Sequence, residues 1–303
     1  MFSAIQVDDL HVRYRQRRGQ AIEAVSGLSF AVEPGEVVGF LGPNGAGKSS
    51  TLKALMGFVE PDRGTCSIFG ATAGSRVARS LIGYLPEVGL YYPYLTPSET
   101  LRLYGELQGL SGRTLREQTA ELLLAVGLEH AAGKQNRHLS KGMLQRVGIA
   151  QSLLGSPKLL ILDEFTSGLD PVGRRHVREL LHERRRQGTT IFFSSHELAE
   201  VEMLCDRILL VHRGRLVEEQ AVPRLKERLA RYVLTFRGPA SMVGLTDDLD
   251  ALDNGAVRAR FSDKPKLMEA MDRVRSAGGT TLDVVAEEGS LEDYFVDRIA
   301  QAA

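Results

Sequence analysis

Apolar positions change rhythm several times along this chain. Near the start they alternate with polar ones: Ile5 and Val7, then Leu10, Val12 and Tyr14, with the phase slipping at Asp8-Asp9. Alternation of period two marks strands with one buried face, and a slip of phase marks a bulge. Strands are expected over residues 4–14, 21–25 and 28–32, with 15–20 as a solvated turn. Residues 37–41 and 159–162 are instead apolar throughout, as in strands covered on both faces. Shorter strands are expected at 65–70 and 82–85. From about residue 98 to 155 the spacing shifts to threes and fours, which predicts helices over 99–108, 115–126 and 141–154. Helices at 172–187 and 197–204 then alternate with strands at 189–193 and 208–211, and Gly214 turns the last strand into a hairpin with 215–218. Strands that start antiparallel and continue with helical crossovers are an α/β pattern with a mixed sheet. After about residue 220 a second pattern begins, with helices at 223–230, 265–277 and 291–300 and strands at 231–236, 256–261 and 282–286. We therefore divide the chain into residues 1–222 and a small α+β unit, 223–303.

Composition narrows the function classes. Lys and Arg number 38, as do Asp and Glu, so there is no basic excess of the kind a nucleic-acid binder shows. No run of eighteen apolar residues suggests a membrane-spanning helix, and the first residues lack the basic and apolar stretches of a signal peptide. The two cysteines, Cys66 and Cys205, form no CxxC pair and read as buried thiols in a reducing compartment.

Candidate chemistry begins at Gly42-Pro43-Asn44-Gly45-Ala46-Gly47-Lys48-Ser49-Ser50, which fits G-x-x-x-x-G-K-[ST] between an apolar strand and a helix-spaced run. Glycines let the backbone curl so that successive N–H groups face phosphate oxygens, and a helix N-terminus adds positive potential. Lys48, read as a surface cation, would bridge the β- and γ-phosphates of a nucleotide, and the Ser49 hydroxyl would ligate Mg²⁺. That loop alone leaves kinases, GTPases and transport ATPases open. Residues 159–162 lead into Asp163-Glu164, two carboxylates at the carboxyl end of a buried strand, where ligands bind in α/β sheets. Asp163 would hold Mg²⁺ and Glu164 would act as general base on water.

Leu139-Ser140-Lys141-Gly142-Met143 resembles the Leu-Ser-Gly-Gly-Gln signature of the ABC-transporter ATPases, with Lys141 and Met143 departing from it. The likeness continues in order over roughly residues 1–220: Thr166-Ser167-Gly168-Leu169-Asp170 resembles the D-loop, Ser195-His196 the switch histidine, and Tyr84-Leu85-Pro86-Glu87 the Q-loop with Glu87 replacing Gln. Phe165 stands where Pro is usual, and Tyr14 lies where the family places an aromatic that stacks on adenine.

The resemblance implies a P-loop NTPase core with an antiparallel β subdomain and a helical signature subdomain near residues 88–157. It implies ATP and Mg²⁺ as cofactors, with Ser140 and Gly142 reaching the γ-phosphate held by a second ATPase subunit. It places His196 at that phosphate and Glu87 at water or Mg²⁺. A separate transmembrane permease would be the partner, with Tyr91, Tyr92 and Tyr94 as walls of its docking cleft. The chain would be cytoplasmic, held at the inner face of the membrane through that permease, and the Q-loop and signature variants resemble the exporter-type bacterial subfamily. The rival reading is a soluble ABC ATPase of translation or DNA repair. Such proteins usually carry paired ATPase domains, a long coiled coil or zinc-finger insertions, which this sequence lacks.

Overall fold

A computed structural model of the chain describes residues 2–15, 21–195, 197–242, 248–252, 255–287 and 291–301. They fall into two compact units, Met1–Gln220 and Ala221–Gln301. The first is built on two sheets. In the antiparallel one, Ile5–Arg15 lies between Ala21–Val32 and Arg63–Ile68, with Ala71–Thr72 beyond. The phase slip after Val7 is a real bulge: the ladder shifts between Val7 and Leu10, and Asp9 takes φ +47°. The two strands expected over 21–32 are one. Gly27, at φ +72°, takes up an extra residue between the pairs His11–Ser26 and Leu10–Leu28, so the apolar phase changes while the ladder runs on.

The second sheet has six strands in the spatial order Arg215–Ala221, Arg207–His212, Val37–Leu41, Thr190–Ser195, Leu159–Asp163, Ile82–Leu85. The last five pair in parallel, which needs helical crossovers and buries strands on both faces. Val37–Leu41, Leu159–Asp163 and Thr190–Ser195 are accordingly buried at every position. Register brings Leu41 opposite Ser195 and Asp163 opposite Ser194, so three carboxyl-terminal strand ends share one edge.

Phe30 of the antiparallel sheet joins Phe40 and Phe192 of the parallel one, with ring centroids 5.3–5.7 Å apart. Arg207 fixes the turn that leads into Val37–Leu41: its guanidinium donates to both Glu36 carboxylate oxygens at 2.8 and 2.9 Å and to the Ala31 carbonyl at 2.7 Å. The helical region holds Pro97–Leu107, Gly112–Ala125 and Lys141–Ser152. Thr96 and Glu99 cap the first of these reciprocally, which starts it two residues before the apolar spacing does. A short helix, Arg76–Ser80, escapes the apolar spacing and is capped by Ser75.

In the second unit the strands lie in the order Asp248–Ala251, Ala256–Phe261, Arg231–Arg237, Thr280–Glu287. Leu234, Phe236, Ala259 and Phe261 pack against Leu267, Ala270 and Val274 of the helix Lys264–Ser276. The strand Asp248–Ala251 has no apolar alternation to announce it. Arg260 of the adjacent strand holds Asp248 and Asp250, each at 2.8 Å. Among the described residues, no helix is long and apolar enough to cross a membrane.

Candidate active site

The strand Val37–Leu41 runs into a loop that only glycine can build at two points. A Cβ on Gly42 would lie 2.2 Å from the Val211 carbonyl oxygen, and one on Gly47 would lie 2.5 Å from that of Ala24. Gly47, at φ +105°, then caps the helix Lys48–Leu55. The expectation of a surface lysine is corrected here. Lys48 is 8% exposed, and its ammonium donates to the Gly42 carbonyl at 2.6 Å and the Pro43 carbonyl at 3.3 Å. The loop wraps over its own cation. Burial pushes this ammonium below the usual lysine range, against the opposing pull of Glu164, Asp163 and Glu87.

Asp163 ends its strand only 6% exposed and accepts a hydrogen bond from the Ser194 hydroxyl on the next strand. Burial raises its pKa above the usual carboxylate range and Glu87 adds to that, while Ser194, Lys48 and Lys53 act the other way. Glu164 turns out of the sheet at φ +50°, a strained conformation for a residue with a side chain. Its N–H is held by the Ser194 carbonyl at 3.2 Å and hydroxyl at 3.3 Å. Phe165, where Pro is usual, is fully buried edge-on to Phe193.

One pocket of about 320 Å³ is lined by Tyr14, residues 43–50, Glu87, Asp163 and Glu164. It thus unites Pro43, Asn44, Gly45, Ala46, Gly47, Lys48, Ser49 and Ser50 with the acidic pair, although Tyr14 and Glu87 come from other parts of the chain. Gly42 is not part of the wall and contributes its carbonyl to Lys48. Tyr14 presents its ring between core and pocket, and among the described residues its buried hydroxyl has no partner. Ser140 and Gly142 do not line this pocket. Ser140 instead caps the helix Lys141–Ser152, its hydroxyl oxygen accepting from the Met143 N–H at 3.2 Å. His196 lies outside the described residues. Two contributors escaped the sequence reading. Ser194 is found only through strand register, and Gln145, whose amide donates to the Phe165 carbonyl at 3.0 Å, only through packing.

Just after Glu87 lies a second concavity, of about 580 Å³, lined by Tyr92, Pro93, Tyr94, Leu95, Arg102 and Leu103 among others. Tyr92 and Tyr94 are exposed, and Leu90 beside them is 87% exposed. Tyr91 departs from the expectation. It turns inward against Tyr104, and burial raises its hydroxyl pKa.

Parallel strands, a glycine loop closing on a helix and an acidic pair on a neighbouring strand end define a P-loop nucleoside triphosphatase. The family model described as ABC transporter matches residues 25–167. The chain is 34% identical to the bacitracin transport ATP-binding protein BcrA of Bacillus licheniformis, over 99% of this chain and 98% of that one. It is 36% identical to the Nod factor export ATP-binding protein I of Burkholderia lata, covering 90% of each. A solved ATP-binding subunit of an ABC transporter superposes with a TM-score of 0.67 at 34% identity, over 74% of this chain and 92% of that one. A dimeric ABC cassette in a post-hydrolysis state, bound to ADP and Pi, shares the fold at TM-score 0.67 and 24% identity, over 72% of this chain and 98% of that one. The chain belongs to the ABC transporter ATP-binding proteins. It is the ATP-binding, ATP-hydrolysing subunit of such a transporter.

Proposed function

We propose that the pocket around Lys48 is the ATP site and that Glu164 is the general base of hydrolysis. The observation that carries this is the single pocket in which residues 43–50, Asp163, Glu164, Glu87 and Tyr14 meet. The loop N–H groups and Lys48 hold the β- and γ-phosphates, and the Tyr14 ring stacks on the base. The hard oxygens of Ser49 and Asp163 suit Mg²⁺, and one Asp163 oxygen is already oriented by Ser194. Mg²⁺ would neutralise charge developing on the phosphate oxygens. Glu164, aimed by its left-handed backbone, takes the proton of the attacking water. Glu87 assists at water or metal, and His196, just past the strand Thr190–Ser195, contacts the γ-phosphate.

Ser140 and Gly142 serve the nucleotide of a second ATPase subunit, so two copies close head-to-tail around two ATP. The apolar groove lined by Tyr92, Tyr94 and Leu103 takes a separate transmembrane permease, which places the chain at the inner face of the cell membrane. Export is the direction supported by the name of the Nod factor relative. All of this ATP chemistry is assigned to residues 1–222, with 223–303 as an accessory domain.

The test is steady-state Mg-ATP hydrolysis by the full chain and by Glu164→Gln, whose amide cannot accept the proton. Turnover should fall by roughly 10²–10⁴-fold with ATP binding retained. Light scattering should show the variant dimeric in Mg-ATP and monomeric in ADP. Wild-type turnover in the variant would remove the base assignment.

A further inference from the structure

Gln145 does not line the proposed pocket and has no assigned role in the chemistry, yet it joins two pieces of the site. It lies one turn into the helix Lys141–Ser152 and is 8% exposed. Its amide donates to the Phe165 carbonyl at 3.0 Å and reaches the Glu164 carbonyl at 3.5 Å. The N–H of Glu164 is held from the other side by Ser194. The strained peptide that aims the carboxylate is therefore gripped between a strand and the signature helix.

The grip extends along the helix. Gly142 packs so closely on Gly168 that a Cβ there would lie 2.7 Å from the Gly168 carbonyl oxygen, and the Arg146 guanidinium donates to Asp170 at 3.4 Å. The first turns of this helix and the loop 164–170 are thus in contact at three points, and displacement of one drags the other. The same helix begins at Ser140, which is exposed and does not line its own chain's pocket.

We infer that Gln145 is a positioning residue: it transmits the seating of Ser140 and Gly142 on a partner's nucleotide to the backbone of Glu164 in its own chain. Each carboxylate is then aligned by ATP bound at the other site. This rests on the proposed roles of Glu164 and Ser140, and the experiment separates the two.

In the full chain, Gln145→Met keeps the length of the side chain and removes its donor. Turnover should fall on the order of tenfold, the rate equivalent of one lost hydrogen bond, with ATP affinity by fluorescent-nucleotide titration unchanged. Ser140→Ala should slow turnover as well. On one route the two losses do not multiply, so the double variant should stay within about threefold of the slower single one. Multiplying losses, or wild-type turnover in a folded Gln145→Met, would overturn the coupling. If Gln145→Met unfolds, Gln145→Glu, which sets a carboxylate oxygen against both carbonyls, must meet the same two criteria. An inactive Glu164→Gln beside a fully active Gln145→Met discards the coupling alone. An active Glu164→Gln discards the base assignment itself.

Discussion

The loop around Lys48 and the start of the helix at Ser140 are the two regions proposed to meet phosphate, but they are built in opposite ways. The loop is finished by its own chain. Lys48 is buried, tied to two loop carbonyls, and faced by Asp163, Glu164 and Glu87. The helix start is exposed, and its serine hydroxyl caps its own turn. In the proposed site, one region would meet a phosphate with side chains already in place, and the other would meet it only against a partner's surface. Preorganisation is therefore concentrated on the half that carries the carboxylates, where a misplaced group would slow chemistry most.

Changing Lys48 breaks the finished half. In Lys48→Ala the Gly42 and Pro43 carbonyls lose their donor and the phosphates lose a charge-assisted bond. ATP affinity, read by isothermal titration, should fall by roughly 100-fold or more. Retained affinity would mean that the loop N–H groups suffice alone. Because Lys48 is the donor to two loop carbonyls, this variant should also unfold at a lower temperature despite relief of the burial cost of its charge, which a free surface lysine would not cause.

The unfinished half responds differently. Ser140→Ala should leave ATP binding to the isolated chain unchanged while turnover falls on the order of tenfold. It should also cost about 1 kcal/mol of stability through loss of the helix cap, measurable by urea denaturation. A matching loss of ATP affinity in the monomer would erase the distinction between the two regions.

The smallest effect sharpens the comparison. Burial holds the Asp163 pKa above the usual range, so its charge opposes folding. Asp163→Asn keeps an oxygen for the Ser194 hydroxyl and removes that charge. In Mg²⁺-free buffer it should raise the melting temperature by a few degrees, followed by calorimetry, at the expense of turnover. An unchanged or lower value would show that Lys48 and Ser194 already offset the burial.

The sequence is most readable where chemistry is contiguous. The run from residue 37 through Lys48, and the run 159–164, place strand, loop and acid in one stretch, and these are the parts that meet in the pocket. Residues joined only by register or packing were hidden. Ser194 gains its bond to Asp163 from strand pairing, and Gln145 reaches Phe165 across a helix-to-loop contact. Tyr91, between two exposed tyrosines in sequence, faces inward because Tyr104 and Gly148 leave it room. Gly27 reads as a break in a one-dimensional pattern, yet the ladder continues across it. In the second unit, Asp248–Ala251 is a strand despite its acidic residues because Arg260 supplies the countercharge from next door.

The two carbonyl bonds on Lys48 also set a threshold for ligands. The oxygens of Gly42 and Pro43, at 2.6 and 3.3 Å, already occupy two of the three donors of this ammonium, so an anion that recruits it competes with them for all but one. For each donor exchanged, the net gain is the difference between two kinds of acceptor, not the full strength of a new bond. Weakly charged ions have little to offer in that exchange, whereas a polyphosphate meets it with several oxygens and the loop N–H groups at once. At the proposed site, competition between backbone and ligand for one cation would act as a filter on charge density before the base or the sugar is read.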